Sequence, residues 1–235
     1  MNKNVFRLSL ILLALFVAFT LLVFFADKNQ VLAPSVDESA EPVWEEVGFS
    51  TVNDKVSDLF PFNETWYKIT EIIGYVSIAA GLVFAFVGLF QLIKRKSFAK
   101  VDRVIYCLGG LYVALGLAYV FFEKVVVNLR PVLLKGETEL APSYPSSHTM
   151  LATVVLGGVI FALGEYIKNK KLAAVLRAVC GALIVVNVCG RIISGAHWIT
   201  DIVGGVLLSA ALLSFFLAFA FPEEKESDSA TDNKE

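Results

Sequence analysis

The apolar positions of this chain fall into long unbroken blocks, near 5–26, 69–93, 104–122, 149–167, 172–190 and 202–221. Each approaches the roughly 20 residues that an α-helix needs to cross the hydrocarbon of a bilayer. The blocks are continuously apolar rather than alternating, and lipid requires backbone groups to pair within the segment, so helices are the spanning form expected. The pattern predicts an all-α, six-span transmembrane helix bundle. Lys3 and Arg7 before the first block resemble the start of a signal peptide. The apolar run from Leu8 to Ala26 is long for a cleaved segment, however, and Val31-Leu32-Ala33 is a poor cleavage site, so the block reads as an uncleaved span.

Polar positions orient the bundle. Lys94, Arg95, Lys96, Lys100 and Arg103 follow the second block, Lys168, Lys170 and Lys171 follow the fourth, and Lys3 and Arg7 precede the first. With six spans these groups share one face, cytoplasmic by the excess of basic residues in short loops. Three regions result: a first transmembrane helix with an acidic extracytoplasmic loop (1–68), a core (69–221), and an acidic, disordered cytoplasmic tail (222–235). In the 27–68 connection Asp37, Glu38, Glu41, Glu45 and Glu46 are interspersed with Trp44, Phe49, Phe60, Phe62 and Trp66. A short amphipathic element at the membrane interface is one reading; a solvated loop with aromatic anchors is preferred.

Composition narrows the class. At 57% hydrophobic residues the chain is too apolar for a soluble domain of its length. A net charge of -2 gives no reason to expect a nucleic-acid partner. Cys107, Cys180 and Cys189 lie in or beside apolar blocks without ligand-type spacing and read as small buried hydrophobes.

The candidate chemistry sits at the outer edge of the spans. The chain has two histidines, His148 and His197, each inside a polar cluster where a charge near lipid is expensive. His197 and Asp201 share a face if both are helical. The carboxylate can then fix the tautomer and leave the other ring nitrogen as a nucleophile. Thr200 or Asp201 as simple helix caps also fits; beside Arg191 the functional reading is favoured. In Pro145-Ser146-Ser147-His148, helix entry and capping account for the proline and the serines but not for His148. The same helix N-terminus attracts anions, and His148 can serve as a general acid. Lys124 with Arg130-Pro131 forms the third piece. An arginine fork suits phosphate oxygens, while basic residues at a span end also snorkel to headgroups.

In this order the three pieces resemble the type-2 phosphatidic acid phosphatase family of membrane lipid phosphatases, whose pattern is Lys-x6-Arg-Pro, Pro-Ser-x-His and Ser-Arg-x5-His-x3-Asp. The second motif is complete as Pro145-Ser146-Ser147-His148. The third reads Gly190-Arg191-x5-His197-x3-Asp201, with glycine in place of serine. The stretch from Ser194 to Gly205 is similar to bacterial members, and the resemblance covers about 70–221. The first motif departs: Lys124 lies one residue too close to Arg130, Glu123 takes the lysine's position without a gap, and Lys135 is a possible substitute.

The resemblance implies a phosphoryl transfer in two steps without metal or other cofactor, with the active site at the extracytoplasmic ends of the helices. His197 attacks phosphorus and forms a phosphohistidine, Asp201 orients it, and His148 protonates the leaving oxygen. Arg130, Arg191, Ser147, Ser146 and Lys124 are the phosphate-binding candidates. Expected substrates are polyprenyl pyrophosphate, phosphatidic acid or phosphatidylglycerol phosphate, drawn from the bilayer of a bacterial cell membrane. Rival readings are a weakly active relative that binds phospholipid or partner proteins, supported by the slipped lysine and Gly190, a transporter with an outer phosphate site, and a metal hydrolase built on His148, His197 and Asp201. Six spans argue against the soluble vanadium haloperoxidases of the family. A histidine nucleophile of near-normal pKa also predicts activity that falls in acid between about pH 8 and 5.

Overall fold

A computed structural model of the chain describes residues 1–36 and 41–223. The expected disordered tail, except its first two residues, lies outside the described residues, as do Asp37 and Glu38. In chain order the elements are α1 (Lys3–Phe25), β1 (Asn29–Ala33), β2 (Val43–Val47), α2 (Ser50–Leu59), α3 (Glu64–Arg95), α4 (Arg103–Lys124), α5 (Ser147–Tyr166), α6 (Lys170–Ile193) and α7 (Ile199–Ala220). All except α2 among the helices are long and apolar enough to cross a membrane, which gives the six spans read from the sequence. Local chemistry sets their starts. Asn2, Asn63, Ser146 and Asn169 each cap a helix by accepting a backbone N–H of the first turn. Helix α3 has 32 residues, about 48 Å at 1.5 Å per residue, so its ends extend beyond the hydrocarbon.

Helix α5 is the hub, packed against α3, α4, α6 and α7. Its buried face carries small residues, Ala152, Gly157, Gly158 and Ala162, which let neighbouring backbones approach closely where lipid supplies no hydrophobic drive between helices. Helix α1 lies at the periphery along α7. Ile11, Val83, Phe86, Val113 and Val185 are exposed on outward faces, as a lipid-facing surface requires. At the basic end of the bundle, Asp102 accepts hydrogen bonds from Gln91 Nε2 (2.6 Å) and the Tyr166 hydroxyl (3.0 Å) and pairs with Arg95 (2.6 Å), joining α3, α4 and α5. The Arg95 hydrogen bond holds the Asp102 carboxyl below the usual carboxylate range.

The other end corrects the expectation of a solvated loop. β1 and β2 form an antiparallel hairpin with Val31 opposite Glu45. Val43, Glu45 and Val47 turn inward while Trp44 and Glu46 face out. Burial alternates along Val-Trp-Glu-Glu-Val with period two, but apolar and polar residues do not, so the sequence carries no alternating strand signal there. A lone hairpin is marginal in water. Here a bridge from Ser35 to Leu133 and the bond from Gly48 N–H to Asn128 Oδ1 (3.1 Å) fasten it to the α4–α5 connection. Helix α2 packs on α7 through Asn53, which is fully buried; its Nδ2 donates to Thr200 Oγ1 at 2.9 Å.

Candidate active site

The N-termini of α5 and α7 are joined directly. Ser146 N–H donates to the Asp201 carbonyl oxygen at 2.9 Å, so two motifs far apart in sequence share one backbone hydrogen bond. The approach needs Gly204: a Cβ there would stand 2.6 Å from the Tyr144 ring. Asn187 Nδ2 on α6 donates to the His148 carbonyl (3.0 Å), and the Trp198 indole N–H donates to the Leu129 carbonyl (2.7 Å), tying in the α4–α5 connection that carries Arg130. Gly195, at φ +62°, turns the chain between α6 and α7; a Cβ there would meet the Phe60 carbonyl oxygen at 2.4 Å.

His197 lies on that turn, outside the helices, with its side chain buried. Its Nδ1 is 3.4 Å from Asp201 Oδ2, a long contact that leaves Nε2 on the far side of the ring. The same carboxylate oxygen accepts the Trp198 backbone N–H at 3.0 Å. Asp201 therefore both closes the first turn of α7 and faces the imidazole. His197 is not helical, so this turn rather than an i, i+4 helical face makes the pair meet.

Arg191, Arg130 and His148 all lie within electrostatic reach of His197. Burial first, then the Arg191 and Arg130 guanidinium groups, push the His197 imidazole well below its ordinary value, with the Ser143 backbone pulling weakly the other way. Arg191 is fully buried. Its Nη1 donates to Thr70 Oγ1 (3.2 Å) and its Cζ sits 5.0 Å from the centre of the Tyr67 ring. Arg191 Nε and Nη2, Arg130 Nε and Nη1, His148 Nδ1 and both His197 ring nitrogens are buried without a hydrogen-bond partner among the described residues. Buried N–H groups are rarely left unmatched. Two guanidinium groups and two imidazoles thus leave nitrogen atoms unmatched in one buried cluster.

The structure thus brings together His148, His197, Asp201, Arg130 and Arg191. The two serines divide: Ser147 lines the adjoining cavity, whereas Ser146 is buried and caps α5 by accepting Thr149 N–H at 3.4 Å. Lys124 is not brought in. It ends α4 exposed, while Glu123 lines a small cleft with Tyr119, Ser143 and Ser147. A one-residue slip rotates a helical side chain by about 100° and puts the carboxylate where the motif has its lysine. Lys135 lines a separate polar cavity with Tyr67, Lys68 and Glu71. Among the described residues no three His, Cys, Asp or Glu side chains gather as a metal cage requires.

Sequence reading missed Thr70, Tyr67, Asn53, Asn128 and Asn187, all of which brace the site. Asn187 and Thr70 did carry a signal: each is a lone polar residue within or at the edge of an apolar block, where lipid makes such groups costly. Below His148 an apolar groove of about 530 Å³ runs between α3, α4 and α5, lined by Leu82, Ala85, Tyr112, Gly116, Met150 and Leu151 among others.

Known proteins share the fold and much of the sequence pattern. Phosphatidylglycerophosphatase B of Bacillus subtilis (strain 168) is 30% identical over 106 residues, covering 43% of this chain and 50% of that protein. The chain thus spans about half the length of that curated relative in the match. A crystal structure of a transmembrane PAP2-type phosphatidylglycerolphosphate phosphatase from Bacillus subtilis superposes with a TM-score of 0.54 at 17% identity, over 89% of this chain and 92% of that one. At that identity the likeness establishes a common fold. A family model described as PAP2 superfamily matches residues 9–225, nearly the whole sequence, and the chain belongs to that superfamily.

Proposed function

We propose that this protein is an integral-membrane phosphatase that releases inorganic phosphate from lipid phosphates, with phosphatidylglycerol phosphate the first substrate to try. The observation that carries the reading is the set of buried, unpartnered nitrogen atoms of Arg130, Arg191, His148 and His197 at the head of an apolar groove. The phosphate lies among the guanidinium groups and the lipid tail in the groove. The name of the Bacillus subtilis relative supports a glycerophosphate headgroup. The basic residues at the other end of the bundle support a site facing the extracytoplasmic side.

His197 Nε2 attacks phosphorus while Nδ1 faces Asp201, which stabilises the positive charge that develops on the ring. The N–P bond forms as the bond from phosphorus to the lipid oxygen breaks. His148 delivers a proton to that oxygen, and the alcohol leaves along the groove. Water then attacks phosphorus, His148 takes its proton, and the N–P bond breaks to release inorganic phosphate. Arg130 and Arg191 neutralise the equatorial oxygens, so the protein contributes mainly position and fixed charge, as phosphoryl transfer requires. No step calls for a metal ion.

The test is phosphate release from phosphatidylglycerol phosphate, phosphatidic acid and polyprenyl pyrophosphate by purified protein in detergent micelles. Turnover on at least one is expected. His197→Ala should abolish it, and His148→Ala should lower it roughly 10²–10⁴-fold. Undiminished release by His197→Ala removes His197 as nucleophile. No release by the wild-type protein favours a phospholipid-binding relative.

A further inference from the structure

We infer that Thr70 is a positioning residue for the phosphate site: its hydroxyl holds Arg191 so that one edge of the guanidinium faces the anion, in room left by the missing side chain at Gly190. The inference rests on reading this site as a phosphate pocket and deepens that reading.

Thr70 lies fully buried in the second turn of α3. Its hydroxyl donates to the Tyr67 carbonyl at 2.8 Å, with the Trp66 carbonyl at 3.1 Å. A hydroxyl has one hydrogen and two lone pairs. With the hydrogen committed to its own helix, Thr70 Oγ1 presents a lone pair, and Arg191 Nη1 donates to it at 3.2 Å. The Tyr67 ring packs against the same guanidinium, 5.0 Å from Cζ. Arg191 Nε and Nη2, which share the other edge of the guanidinium plane, are the atoms left without a partner. That edge is the one suited to a two-pronged contact with phosphate. Helix α3 therefore fixes which way the fork points.

Gly190 makes the arrangement possible. A Cβ there would stand 2.7 Å from Thr70 Cγ2 and 3.1 Å from the Trp66 ring. The serine of the family pattern and the Thr70–Trp66 pair compete for one volume. The two positions are therefore coupled, although they lie on different helices.

The experiment measures binding of inorganic phosphate by ³¹P NMR titration of the purified protein in micelles, beside kcat/KM on a lipid phosphate. Thr70→Val keeps the shape and removes the acceptor. It should weaken phosphate binding and lower kcat/KM by about tenfold each, the scale of one hydrogen bond to a charged group. Thr70→Ser should recover both. Gly190→Ser should weaken binding, and Thr70→Ser with Gly190→Ser, which removes Cγ2 and keeps the hydroxyl, should bind phosphate more tightly than Gly190→Ser alone. Wild-type affinity in Thr70→Val, or a Thr70→Ser protein as weak as Thr70→Val, overturns the inference. If Thr70→Val does not fold, Thr70→Ala and Thr70→Ser read the same hydroxyl, and equal affinity in those two overturns it. Phosphate binding that depends on Thr70 in a protein that turns over no lipid phosphate sinks the proposed function and spares the inference; turnover indifferent to Thr70 does the reverse. A wild-type protein that binds no phosphate overturns both.

Discussion

His197 shows what burial does to a single side chain here. An exposed imidazole exchanges its proton near pH 6.5. Burial of His197 beside Arg191 and Arg130 disfavours the charged form by both desolvation and repulsion, so the ring is neutral at pH 7 and stays neutral below pH 6.5 in the free protein. With a histidine nucleophile so placed, the acid loss of activity expected between about pH 8 and 5 for a near-normal pKa is expected at lower pH instead. The chain has two histidines, so ring NMR signals can be assigned with one variant, His148→Gln. The His197 signal should show no titration midpoint near pH 6.5, and a midpoint there would contradict the buried site. The sign for stability follows. The unfolded chain takes up a proton at His197 more readily than the folded one, so this contribution is present above about pH 6.5 and is lost as pH falls below it.

Among elements, α2 and the hairpin decide how firmly the head of α7 is held. Asn53 donates to Thr200 Oγ1 and to the Gly48 carbonyl and accepts from Thr200 N–H, so one buried amide links α2, the hairpin's end and the first turn of α7. Asn53→Ala leaves those groups buried and unmatched. It should cost about 1–3 kcal/mol of stability, seen as a lower midpoint of thermal denaturation in detergent. Since α7 carries Asp201, catalysis should weaken with it. An unchanged midpoint would mean that α2 is only lightly attached. The hairpin itself was hard to read because strand and helix signals in short segments are weak, and its partners Leu133 and Asn128 lie far along the chain, Asn128 80 residues beyond Gly48.

Across the whole molecule, the groove and the cluster of buried Arg and His nitrogens meet at His148, which under the proposed function puts tail and phosphate at adjoining places. Gly116 lines the groove, and a Cβ there meets nothing within 4 Å, so a side chain can start from it into the groove. Gly116→Phe should fill part of the groove and lower kcat/KM for a long-chain lipid phosphate about tenfold or more relative to a short-chain water-soluble one, since several buried methylenes are lost from binding. Equal loss on both substrates, or none on either, would place the tail elsewhere.

The sequence by itself determined the six spans and the residue types of the pocket. A span is a local property of some twenty consecutive residues, and the motifs that carry the family resemblance name the residue types. It also carried Asn187 and Thr70 as polar residues out of place in apolar surroundings, but not their use. The tertiary structure decided which residues meet: that Ser146 caps while Ser147 lines the cavity, that Glu123 rather than Lys124 faces the cleft, and that Thr70 fills the room left at Gly190. These are matters of helix rotation and of contact between distant segments. A shift of one residue or a few ångströms changes them, and no local pattern in the chain fixes quantities so small.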